Sequence, residues 1–114
     1  MGVRMFTEQN IDLINQAVEN EYKQICSTYG TKYNSEHEGY AVLKEEVEEV
    51  SDELEYINNF MRILWLNVKT NDKLNGSLNG IKERAKFLAQ EAFQVAAVCQ
   101  RFLNTLQGEN KEND

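Results

Sequence analysis

Between Tyr40 and Val68 the apolar residues Tyr40, Leu43, Val47, Val50, Leu54, Ile57, Met61, Leu64 and Val68 follow one another at alternating steps of three and four. Only an α-helix places all nine on one stripe, and the mean period of about 3.5 residues is that of a left-handed coiled-coil seam. A helix with such a seam must bury it against a partner. A second line, Val42, Glu46, Glu49, Glu53, Tyr56 and Phe60, runs beside it with the same spacing, so carboxylates border the expected core on one side.

The rest of the chain repeats this grammar. Ile11, Ile14, Val18, Tyr22, Ile25 and Tyr29 predict a first helix from about Thr7 to Tyr29, with Thr7 as N-cap and Gly30 as its stop. Ser35 and Glu38 form a capping box that starts the central helix near Glu36. That helix is expected to run to about Lys69. Thr70 to Gly80, with two Asn-Gly pairs, reads as a connection. The third helix then carries Leu78, Ile81, Ala85, Leu88, Ala92, Val95, Cys99, Phe102 and Leu106 as far as Gly108. Residues 109–114 are charged and are expected to form a disordered tail.

No proline interrupts the 114 residues, and the length fits one domain. The expected fold is all-α: a long antiparallel hairpin with an N-terminal helix laid on it. Phe60, Trp65, Phe87, Phe93 and Val98 fall off the main stripes. That surplus predicts a homodimer or higher oligomer in which two hairpins form a four-helix bundle.

The formal charge of −7 excludes the basic face that a nucleic-acid polymer requires. A small phosphorylated ligand held through a cation remains compatible with it. Cys26 and Cys99 sit inward in helical patterns and read as reduced thiols. The first residues contain no apolar run of signal-peptide length, and no membrane segment is visible, so a cytoplasmic protein is expected. His37, the single histidine, cannot build a histidine-based metal site. No glycine-rich phosphate loop occurs.

Glu46 and Glu49 lie three residues apart on one helical face and can share one hard cation. If the turn centres near Lys73, Glu49 faces the region of Gln94 to Ala97 and Glu91 to Gln94 lies within about one turn of it. Spacing alone favours a solvated acidic face, which is what acidic runs on helices usually are. The run from His37 through Glu45-Glu46-Val47-Glu48-Glu49 resembles the Glu-Glu-x-x-Glu motif of the MazG-like all-α nucleotide pyrophosphohydrolases. The resemblance spans both long helices.

That resemblance implies a Mg²⁺ site in which Glu46, Glu49 and Glu91 are ligands and a nucleoside triphosphate is the substrate. The family's second motif is Glu-x-x-Asp, and this chain has Glu91-Ala92-Phe93-Gln94. Glutamine offers a carbonyl oxygen but no charge, so binding is expected to outlast hydrolysis. The expectation is a nucleotide held or sequestered with little or no turnover. A Mg²⁺-dependent pyrophosphohydrolase and a purely structural helical oligomer are the alternatives. Glu53, Gln94, Lys44, Arg84, Arg101 and Tyr56 are the expected ligand-binding residues around the metal. Small chains of this kind resemble those carried by phages and their bacterial hosts, an analogy that does not fix function.

Overall fold

The computed structural model describes residues 6–113, with side chains to Gln107. Three helices account for nearly all of it: α1 (Glu8–Tyr29), α2 (Glu36–Lys69) and α3 (Asn75–Asn113). No strand occurs among the described residues, and no helix there is long and apolar enough to cross a membrane. The first five residues, on which the expectation of no signal peptide rests, lie outside the described residues.

The caps follow the sequence. Thr7 Oγ1 accepts the Asn10 N–H at 3.2 Å, and Gly30, at φ 89°, ends α1 in a conformation that side chains rarely adopt. At the start of α2, Ser35 Oγ accepts the Glu38 N–H. The Glu38 carboxylate reaches back one residue further than a simple capping box, accepting from Asn34 N and Asn34 Nδ2 at 3.1 Å each.

The hairpin turn is tighter than the sequence predicts. It occupies only Thr70 to Leu74, and Asn71 supplies the left-handed residue at φ 62°. Both Asn-Gly pairs fall inside the first turns of α3. Gly80 is there for close approach: a Cβ on it would stand 2.6 Å from the Phe60 ring. At its other end α3 passes Gly108 and runs to Asn113, where the sequence predicts a tail. No proline stops it, and Glu and Lys favour the helix.

Contacts divide the chain into two compact units, Met1–Leu43 with Phe93–Asp114, and Lys44–Ala92. In the first unit α1, the start of α2 and the end of α3 enclose Tyr33, Ala97, Val98, Arg101 and Thr105, all buried. Tyr33 meets Phe102 edge to face at 6.1 Å, and its N–H donates to Thr105 Oγ1 at 2.8 Å. Gly39 lies against the Phe102 ring, with room for no Cβ. Cys26 and Cys99 are free thiols, half-buried rather than fully inward.

The second unit is the hairpin itself. Its helices meet along Glu53–Arg84, Phe60–Gly80 and Asn67–Ser77, so the line read from the sequence as a border is the contact line. The apolar seam is displaced to one side of it. Val50, Ile57 and Leu64 are half-buried, whereas Val47, Leu54, Met61 and Val68 are 45–49% exposed. The cause is steric: glycine and serine on α3 admit the larger residues of the border line, and Arg84 satisfies its carboxylate.

Candidate metal centre

The second unit carries the chemistry. Helix α2 presents Glu46 and Glu49 on adjacent turns, and antiparallel α3 brings Glu91 opposite them. One carboxylate oxygen of each lies within 4.8 Å of the others. Glu46 and Glu91 are half-buried and Glu49 is exposed, which leaves the cluster open to solvent and to a ligand.

Concentrated negative charge changes the chemistry of Glu91. A hydrogen bond with the Glu49 carboxyl, partial burial, and the charges of Glu49, Glu46 and Glu53 raise its pKa from 4.5 to about 7. Near neutral pH the site therefore takes up either a proton or a cation. Three carboxylate oxygens are a hard donor set that suits Mg²⁺ or Mn²⁺, with water or phosphate completing the shell.

Glu53 stands apart from the triad. Its carboxylate accepts from Arg84 Nη1 at 3.4–3.5 Å, forming an ion pair in which Glu53 is the more buried partner. The Arg84 guanidinium lies 4.4 Å from the Tyr56 ring centroid and 5.8 Å from that of Phe87. Both rings are about half exposed. A cation held by a carboxylate and two aromatic faces is thus in the same compact unit as the triad. The sequence brought Glu53, Arg84 and Tyr56 forward separately. It brought Phe87 forward only as an apolar residue off the main stripes, although Phe87 stands three residues after Arg84 on one helical face.

The other expected ligand residues are placed differently. Lys44 pairs in solvent with Glu48 at 4.0 Å. Gln94 is half-buried three residues beyond Glu91 on α3, in the segment that belongs to the first unit, and the carboxylate triad is complete without it. The turn is centred on Asp72, and the antiparallel return from it brings Glu91 to Glu46 and Glu49.

Arg101 does other work. It is 7% exposed, and its guanidinium donates to the carbonyls of Gly30, Tyr29 and Lys32 at 2.8–3.1 Å. The same group lies 4.1 Å from the Tyr33 ring centroid. These bonds satisfy the carbonyls that the end of α1 and the following connection leave open. The structure gives Arg101 the role of tying that connection to α3. Nothing in a helical period announces a nest of carbonyls, so this role was not legible.

Neither a family model, nor a curated protein, nor a solved structure matches the chain. The site is therefore read from its own geometry.

Proposed function

We propose that Glu46, Glu49 and Glu91 bind a divalent cation, Mg²⁺ in the cell, and through it hold the phosphates of a nucleotide with little or no hydrolysis. The convergence of three carboxylates from two helices within 4.8 Å carries this reading. The resemblance of the α2 motif to MazG-like pyrophosphohydrolases supports it and supplies the ligand class.

When bound, the cation would neutralise phosphate charge and draw the phosphate chain to the acidic triad. The residues of the chain do the rest. Glu91, whose pKa is raised to about 7, would give up its proton to a bound cation. Arg84 is a ready partner for a phosphate oxygen, since its ion pair with Glu53 keeps it extended and 38% of its side chain is exposed. Tyr56 and Phe87 offer exposed rings to a base.

Holding is favoured over cutting because hydrolysis needs an anionic base or a firmly fixed metal hydroxide. Glutamine at position 94, where the MazG-like motif has aspartate, removes one candidate base. The test is incubation of the protein with a panel of nucleotides and Mg²⁺, followed by separation of bound from cleaved products. Retained, intact nucleotide is expected, and Gln94→Asp is expected to raise pyrophosphate release at least about tenfold, equivalent to roughly 1.4 kcal/mol in the barrier. Rapid turnover by the natural protein contradicts the holding mode, and absence of both binding and cleavage contradicts the function.

A further inference from the structure

The hairpin leaves one side of α2 uncovered. Val47, Leu54, Met61 and Val68 recur every seven residues, and each keeps 45–49% of its surface in water although the half-buried row of Val50, Ile57 and Leu64 lies next to it. A row with an exact seven-residue period is complementary only to a helix that keeps the same period, because any other drifts off the seam within a few turns.

The charges beside this row identify the helix. Glu48, Glu55, Arg62 and Lys69 also recur every seven residues, one position after each apolar residue, and all four are exposed. The row reads acid, acid, base, base from the N-terminal to the C-terminal end. It is complementary to itself when reversed: Glu48 comes opposite Lys69 and Glu55 opposite Arg62. Parallel pairing about a two-fold along the helices would instead put the two charge rows on opposite sides of the seam. In the single chain, of these four side chains, Glu48 takes only a solvent ion pair with Lys44, Arg62 donates to Asn59 and Lys69 lies over Trp65. None of these ties opposes the pairing.

We propose that a second copy of this chain docks on the exposed α2 row of the hairpin, with its own α2 antiparallel, its apolar row closing on Val47, Leu54, Met61 and Val68 and its charge row inverted against the first. The assembly is a two-fold dimer whose axis crosses α2 between Leu54 and Met61. Each copy contributes the same patch, so contacts occur in symmetric pairs. The inference rests on the apolar and charged rows alone and is independent of the metal centre.

Sedimentation equilibrium of the full chain tests it. The natural protein is expected to be a dimer at micromolar concentration, and a monomer there overturns the proposal, whatever else occupies the row. Glu48→Lys with Glu55→Lys makes the row wholly basic, and Arg62→Glu with Lys69→Glu makes it wholly acidic. Each pair is expected to weaken dimerisation about tenfold or more, with greater loss at low salt. All four changes together restore the alternation in reverse order and are expected to restore the dimer. A parallel dimer is indifferent to either pair, since its two charge rows lie on opposite sides of the seam, so unchanged affinity in the double variants overturns the antiparallel arrangement. All the substituted residues are solvent-exposed, and helicity by circular dichroism verifies that each variant folds.

Discussion

Replacing Glu91 by glutamine should stabilise the metal-free protein above neutral pH. In the folded chain the Glu91 carboxyl titrates near pH 7 instead of 4.5, first because of its hydrogen bond with Glu49, then because of partial burial and the neighbouring charges. The folded state therefore binds a proton more tightly than the unfolded chain does. Below about pH 4.5 both states are protonated and the favourable contribution is fully present. As pH rises through about 7 it is lost, and the folded state carries an unrelieved charge. A displacement of that size corresponds to at most about 3 kcal/mol. Glu91 is only half-buried, and solvent screening reduces the effect to about 1 kcal/mol. For a domain of this length that is about 4 °C in melting temperature. Thermal unfolding of both proteins in metal-free buffer, from about pH 5 to about pH 8, should show Glu91→Gln gaining on the natural protein as pH rises and matching it at the acid end. A difference that does not vary with pH refutes the crowded-carboxylate account.

Three further outcomes follow from the same contacts. Arg84→Met removes the cation paired with Glu53 and should tighten divalent-metal binding while weakening nucleotide binding, as calorimetric titration of each ligand would show; loss of both or of neither contradicts the role given to Arg84. Arg101→Met leaves three carbonyls of the α1–α2 connection without their donor and should cost about 3 kcal/mol in urea unfolding, with metal affinity unchanged. Gly80→Ala forces a methyl group against the Phe60 ring and should destabilise the hairpin by about 1–2 kcal/mol in the same assay, despite alanine's better helix propensity.

The helices were legible because their signals are local. Thr7, Gly30, the Ser35 and Glu38 box and Lys69 mark the ends of α1 and α2 where the structure has them. The acidic pair on α2 and its partner Glu91 were also legible, because an i, i+3 step and an antiparallel return fix a face and an approximate level. The extent of the turn was not. It was read from two Asn-Gly pairs taken as the connection, whereas both lie in α3, where Gly80 admits the Phe60 ring, and the turn depends on Asn71. The seam misled for another reason: periodicity locates an apolar stripe but does not say which neighbour covers it. Small residues on α3 drew Phe60 and Glu53 to the contact line and left Leu54 and Met61 in water.

Equilibrium binding of Mn²⁺, followed by its paramagnetic resonance signal, tests the central claim most directly. The natural chain is compared with the variant carrying Glu46→Gln, Glu49→Gln and Glu91→Gln. One ion per chain is expected for the natural protein, with affinity falling about tenfold for each unit of pH below about 7 as the proton on Glu91 competes. The triple variant should bind none at that site, should melt higher in metal-free buffer because like-charge repulsion is relieved, and should gain no stability from Mg²⁺ or Mn²⁺. Equal binding of Mn²⁺ by the two proteins would contradict the account and reduce the triad to a solvated acidic face.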